Sequence, residues 1–354
     1  MSTELTNNDL EIYNIININK PNNFKYMRKK KFFLRRFRNC CLINIKLFGK
    51  LIWILIRILI ILYLFFKNKF IRIKKDNYFA CFLAMGKQEN KYAKELIQYY
   101  WNLGIEKFIL GDNNLPNTEK LSDVLQDYID EGIIDIIELF DSSLGLSDFY
   151  NITYEKYRTK CKWFLLFDFD EYLEVHFEKN KNLVLKDFLS NDIFNKCESI
   201  LFNWLIYTDN NLLYYDNRPL QKRFTEPYYE CEDNKYVKSI VRGNINKTIF
   251  LQDQSNHVPE KGVIICNSMG KIIKDYNPHN IDPPIFDYGY LKHFIDKTAE
   301  EYCDKIIKGY RKMPFNVDER IGIFFKHNRF SEEKLKIFEK KFKRNSTKLY
   351  IKMI

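Results

Sequence analysis

Residues 163–174 read WFLLFDFDEYLE, and the fold turns on how they are read. Five apolar or aromatic residues, Trp163 to Phe167, run directly into Asp168, Asp170 and Glu171. An apolar run without alternation is what a strand buried on both faces requires. Three carboxylates within four positions repel one another unless a cation or a cationic partner sits among them. The stretch therefore predicts a central strand whose end opens into a site.

The chain has 354 residues, 46% of them hydrophobic, which is enough for one large core in one or two domains. Its formal charge of +11 is unevenly placed. Residues 1–76 carry 17 Lys and Arg against 4 Asp and Glu, which leaves 40 basic and 42 acidic residues in the remainder. A near-neutral body with a basic tail points to an anionic membrane surface and away from a nucleic-acid groove. The eight cysteines show no CxxC pair and no metal-ligand spacing, so they read as small buried apolar residues. Asn-x-Ser/Thr sequons at Asn151, Asn246 and Asn345 read as chance matches in an Asn-rich chain.

Residues 1–45 form a polar and basic tail, and residues 46–75 hold an apolar segment with a basic flank. Thirteen of the sixteen residues from Leu51 to Phe66 are Leu, Ile or Phe. They favour membrane insertion by about 4 to 8 kcal/mol, against about 2.5 to 3.5 kcal/mol for Arg57 at mid-helix. A single span is the expectation, with an interfacial helix as the alternative because Lys46, Lys50 and Arg57 share one helix face. A span of sixteen residues is short, roughly 24 Å as a helix. The side of the membrane stays open.

From Tyr78 onward the pattern alternates between strand and helix, as in an α/β domain with a mostly parallel sheet. YFACFLAM, KFILGDNN, IIDIIELF and WFLLF read as strands, with amphipathic helices between them. SILFNWLIYT and YVKSIVRGNI read as later strands, and TAEEYCDKIIKGY as a helix opened by a capping box of Thr298 and Glu301. The catalytic domain is expected over 76–312, followed by a helical extension over 313–354. In an open α/β sheet, ligands bind beyond the carboxyl ends of the strands, where Asp168 and Asp170 fall. If the chain stays extended there, both side chains point to one side, and their oxygens suit Mg²⁺ or Mn²⁺.

WFLLFDFDEYLE resembles the DxD strand end of nucleotide-sugar glycosyltransferases with the GT-A fold, a Rossmann-like (nucleotide-diphospho-sugar transferase) architecture. Four further stretches and one short motif are similar to the family 2 and family 92 types found in surface-polysaccharide biosynthesis and in the Golgi. They are KYAKELIQYYWNLGIEKFILGDNN, YTDNNLLYYDNRPLQKRFT, KYVKSIVRGN, NHVP and YLKHFIDKTAEEYCDKIIKGY, in the family's order over about residues 78–312. The resemblance implies that Asp168 and Asp170 hold the metal and the donor diphosphate, that Asp112 and Asn113 face the nucleotide, and that His293 completes the metal site. Lys238 and Arg242, four apart on one strand face, are expected to neutralise the departing diphosphate. His257 is expected to line the same cleft. Asp209 is the first candidate for the base, followed by Glu230, Glu232 and Asp233. NHVP in place of an aromatic-bearing HYP, and HFIDKT in place of HYxTKS, are departures that bear on acceptor recognition.

The expected activity is metal-dependent, inverting transfer of a sugar from a nucleotide sugar to a glycan or lipid-linked glycan hydroxyl at a membrane. A nucleotidyltransferase and a non-catalytic, membrane-tethered glycan-binding protein are the alternatives. Asp170→Asn is expected to abolish transfer while leaving stability unchanged or raised, by relieving carboxylate repulsion.

Overall fold

The computed structural model describes Arg57 and residues 77–140, 145–177, 183–245, 251–252, 258–259, 262–274, 281–309 and 316–343. The basic tail, the expected membrane anchor and His257 lie outside these residues. Among the described residues, no helix is long and apolar enough to cross a membrane.

The first half of the domain is a regular alternation: β1 (Tyr78–Gly86), α1 (Asn90–Leu103), β2 (Lys107–Asp112), α2 (Leu121–Asp130), β3 (Ile134–Glu138), α3 (Leu146–Tyr157) and β4 (Cys161–Leu166). These four strands are mutually parallel in the order β3-β2-β1-β4. Residues Ala80 to Ala84 are fully buried because helices cover both sheet faces. On one face Tyr100 of α1 packs on Phe82 at 4.4 Å between ring centroids, and on the other Tyr154 of α3 packs on Phe164 at 5.1 Å. Two covered faces are the physical reason that WFLLF carries no polar alternation.

The second half adds β5 (Glu171–Val175), α4 (Leu185–Leu189), β6 (Ser199–Ile206), α5 (Leu220–Arg223), β7 (Val237–Arg242), a short pair β8 (Leu251–Gln252) and β9 (Val258–Pro259), β10 (Ile265–Asn267) and β11 (Gly289–His293). Strand order continues β4-β7-β6-β11-β5, with β10 alongside β6. Only β7 and β5 run against the others in this sheet among the described residues. β4 and β5 are four residues apart in sequence but three strands apart in the sheet, so the sheet curls around the segment that joins them. Gly243, just past β7, donates its N–H to Lys162 O at 2.9 Å. A Cβ there would lie 1.8 Å from Cys161 O, so no side chain fits at that crossing.

Three helices close the chain: α6 (Ala299–Lys308), α7 (Val317–His327) and α8 (Glu332–Phe342). They share a separate apolar cluster around Tyr302, Phe324 and Phe338. The capping box forms as read: Thr298 Oγ1 accepts from the Glu301 N–H, and the Glu301 carboxylate accepts from the Thr298 N–H. The cysteines differ from expectation. Cys81 pairs with Cys161 and Cys197 with Cys266 as disulfides, while Cys231 and Cys303 are free and buried. Partners 80 and 69 residues apart leave no local spacing to read.

Candidate active site

Asp168 to Glu171 form a turn rather than an extension of the strand. The Glu171 N–H donates to Asp168 O at 3.2 Å, and the Asp168 N–H donates to Glu171 Oε2 at 2.8 Å. Phe169, between the two aspartates, is 2% exposed, and burying its ring stabilises the turn by about 2 to 3 kcal/mol. Helix α1 fixes the turn from below: Tyr100 Oη donates to Glu171 O at 2.8 Å and accepts from the Leu173 N–H at 3.0 Å. Local hydrogen bonding within D-F-D-E overrides the two-residue period of a strand.

The turn brings its carboxylates against cations from three other elements. Lys238, fully buried at the start of β7, reaches Asp168 Oδ2 at 2.6 Å and Glu171 Oε1 at 3.6 Å. Because β7 is antiparallel to β4, its first residues lie at the same sheet edge as the end of β4. His293, the last residue of β11, places Nε2 at 3.6 Å from Asp170 Oδ1 and 4.0 Å from Glu171 Oε1. Lys297 and Lys305 approach Asp170 Oδ2 at 3.6 and 3.3 Å. Lys297 sits in the left-handed backbone region at φ +59°, a conformation that costs a non-glycine residue about 1 kcal/mol or more and concentrates at functional sites. The Trp204 ring packs 4.3 Å from His293, with Lys238 5.8 Å above it.

These contacts sort the charges. Burial alone would raise the Asp170 pKa, but Lys305, Lys297 and His293 outweigh it and hold the carboxyl well below the usual range. For Glu171 burial wins: opposed by Lys238 but reinforced by Asp168 and Asp170, it pushes the carboxyl up to about 8. Glu171 therefore holds its proton at neutral pH. Burial also lowers the His293 pKa, against the pull of Asp170, so the ring is neutral there and offers a lone pair. Burial works against the Lys238 charge, but Asp168, the carboxylate nearest to it, leads the groups that hold its pKa up. Lys238, Lys297 and Lys305 thus surround Asp168 and Asp170, and lysines outnumber aspartates at the turn.

The donors at this turn are of the types that divalent ions take. Asp170 Oδ1 and Glu171 Oε1 lie 3.6 and 4.0 Å from His293 Nε2, and Glu171 Oε1 is buried without a hydrogen-bond partner. One imidazole nitrogen with carboxylate oxygens suits Mn²⁺, and oxygens alone suit Mg²⁺.

The other expected site residues lie elsewhere. Arg242 is on the same face of β7 as Lys238 but opposite Trp163, at the far end of the strand, roughly 13 Å along at 3.3 Å per residue. Its guanidinium donates to Cys197 O and Phe194 O, both at 2.8 Å, and stacks 4.2 Å from Trp163. Four residues of extended strand separate the two cations, and the antiparallel direction of β7 leaves Lys238 and not Arg242 beside the end of β4. Asp112 is at the right edge, but its Oδ1 accepts from the Asn114 N–H at 2.9 Å and its Oδ2 from the Leu121 N–H at 2.7 Å. It closes the loop into α2 and is 1% exposed, so its carboxylate does not face a nucleotide. The neighbouring Asn113 is half-buried, with its N–H on Gly86 O at 2.8 Å. Asp209 is also buried, paired with Lys334 of α8 at 2.6 Å. Glu230 and Glu232 are exposed, and Glu232 meets Lys326 at 3.4 Å. Glu232 lies in the turn just before β7, hence at the active edge, and Tyr236 of the same segment packs 5.4 Å from Trp204.

Lys297, Lys305 and Trp204 escape a reading of the sequence alone. Lys297 carries a signal in hindsight, as it sits four residues after His293 in the HFIDKT segment. Lys305 is one lysine among many on a helix, and Trp204 looks like core.

No protein-family model matches the chain, and no curated protein matches it. Among solved structures it is similar to S. aureus TarS 1–349, at 15% identity over 78% of each chain with a TM-score of 0.30. It is also similar to the same protein in complex with UDP-GlcNAc, at 13% identity over 78% of this chain and 79% of that one with a TM-score of 0.33. The complex with UDP gives 11% identity, 78% and 75% coverage and a TM-score of 0.30. Overlap at this level fixes neither the fold nor the activity of this chain.

Proposed function

We propose that this chain is a nucleotide-sugar-dependent glycosyltransferase, and the observation that carries the reading is the cationic ring of Lys238, Lys297 and Lys305 around the Asp168–Glu171 turn. A nucleoside diphosphate leaving group develops negative charge as the anomeric bond breaks. Ammonium groups pre-placed at a sheet edge stabilise that charge more in the transition state than in the ground state. Asp170, Glu171 and His293 would hold a divalent ion, with Asp168 beside it on Lys238. When bound, the ion supplies Lewis-acid neutralisation of the diphosphate oxygens. An acceptor hydroxyl attacks the anomeric carbon as the bond to the diphosphate oxygen breaks. A carboxylate at the same edge takes the hydroxyl proton, and Glu232 is our candidate. A single displacement of this kind inverts the anomeric configuration. The apolar segment 51–66 would hold the domain at a membrane, where glycan or lipid-linked acceptors reside.

The charge sum gives a specific expectation. Three lysines against two aspartates repel a bare divalent cation, whereas the donor diphosphate brings negative charge that both cations and metal need. Mn²⁺ is therefore expected to bind at least about tenfold more tightly with UDP present than without it, a coupling of roughly 1.4 kcal/mol. Calorimetric titration of Mn²⁺ into the protein, with and without UDP, reads this directly. Equal affinity in the two titrations would remove the metal-bridged diphosphate from the account.

A further inference from the structure

A second set of metal-ligating side chains lies outside the active site. Cys231 and Asp233 belong to the turn that precedes β7, and His327 is the last residue of α7. One ligand atom from each, a thiol sulfur, a carboxylate oxygen and a ring nitrogen, lies within 4.8 Å of the other two. His327 Nε2 is 2.8 Å from Asp233 Oδ2, and its Nδ1 is 2.8 Å from Asp296 Oδ2. Asn328 Nδ2 donates to that same Asp296 oxygen at 2.8 Å. The His327 and Asp296 side chains are fully buried.

We propose that Cys231, Asp233 and His327 form a binding site for a zinc-class divalent cation. Three features of the geometry support it. Sulfur, nitrogen and oxygen donors together suit a borderline-soft ion of tetrahedral preference, whereas Mg²⁺ and Ca²⁺ favour oxygen alone. Asp296 occupies the place of the carboxylate that orients a ligating imidazole by accepting its other N–H. The Asp233 side chain is 20% exposed, so solvent reaches the carboxylate side of the group. On binding, the proton on His327 Nε2 and the Cys231 thiol proton leave, the Nδ1–H stays on Asp296, and three protein–metal bonds form. Thiolate and carboxylate ligands balance the ion's charge, with Asp296 on one side of the site and Lys326, 2.7 Å from Asp233 Oδ1, on the other.

Asp296 gives the site its consequence. It is joined by one peptide bond to Lys297, whose left-handed backbone aims its ammonium at Asp170. An ion at Cys231, Asp233 and His327 would fix His327, through it Asp296, and through that the Lys297 bend. It is a positioning site, and Glu232, the candidate base, sits between two of its ligands without being one of them.

The test is a Co²⁺ titration of the metal-stripped full chain, followed by absorbance of the thiolate-to-cobalt charge-transfer band. One equivalent of Co²⁺ is expected to produce the band, and one equivalent of Zn²⁺ to displace it. Cys231→Ser is expected to lose the band while staying folded, since the change is a single atom. Asp296→Asn is expected to weaken the affinity by about 10- to 100-fold. Asp168→Asn, in the active site, is expected to leave the band unchanged, which separates this site from the proposed donor site. A folded protein that gives no band, or a band that survives Cys231→Ser, would overturn the proposal and leave His327 as an imidazolium bridge between two aspartates. Neither result bears on the coupling of Mn²⁺ to UDP.

Discussion

Asp170→Asn is expected to reduce sugar transfer by about 10²- to 10³-fold, the scale on which removing one preorganised electrostatic group acts. Asp170 sits where metal, imidazole and two lysines meet, so the amide loses both the ligand oxygen charge and the partner that holds Lys297 and Lys305. The effect should fall mainly on kcat, because the diphosphate charge appears as the bond breaks. Stability should fall as well. From the sequence alone the substitution looks neutral or stabilising, since it separates crowded carboxylates. The structure reverses that sign: Glu171 carries no charge at neutral pH, and the neighbours that matter to Asp170 are cations. Removing one partner of a fully buried ion pair costs about 3 to 5 kcal/mol. With Asp170 14% and Lys305 24% exposed, roughly 1 to 3 kcal/mol is expected. Thermal melts of the purified variant give the stability change, and initial rates at saturating donor give the kinetic one.

Arg223→Met is expected to give the largest loss of stability. Arg223, in α5, meets Glu301 in a two-pronged pair at 2.7 and 3.1 Å, with both side chains 1% exposed. Glu301 also accepts from Tyr92 Oη of α1 and from its own N-cap Thr298 Oγ1, so α1, α5 and the start of α6 meet on one carboxylate. Burial works against its ionisation, but the hydrogen bonds from Arg223 and Tyr92 prevail and keep the carboxyl below its usual pKa. Without the guanidinium a buried charge stands uncompensated, at about 3 to 5 kcal/mol. At roughly 2 to 4 °C per kcal/mol, Tm should drop by about 10 °C. Adding Glu301→Leu should restore much of the loss, because an apolar pair needs no compensation. Transfer should weaken too, since Glu301 opens the helix that carries Lys305.

What could be read ahead of the structure followed from local physics. Trp163–Phe167 declares a strand covered on both faces, Gly104 takes the left-handed end of α1, and Thr298 with Glu301 sets the start of α6. The place of the acidic residues at the sheet edge follows from the same patterns, whereas their turn, set by hydrogen bonds within D-F-D-E, does not. What stayed hidden depends on where distant segments meet. Arg242 and Lys238 share a face, but the length of β7 puts them at opposite ends and its antiparallel direction leaves only Lys238 at the active edge. Asp209 follows a strand at the active edge, yet Lys334, 125 residues later, buries it. Lys297 and Lys305 arrive only when β11 and α6 fold back over the turn. Each of these contacts is long-range, and no period or motif encodes it.

The most direct measurement is release of nucleotide by the full chain from a panel of UDP-, GDP-, CMP- and dTDP-sugars, with UDP-GlcNAc first, in Mn²⁺, Mg²⁺ or EDTA. Release is expected from one donor, abolished by EDTA and reduced about 10²- to 10³-fold by Asp170→Asn. Folded protein that binds neither nucleotide nor Mn²⁺, or that releases pyrophosphate from a nucleoside triphosphate instead, would contradict it.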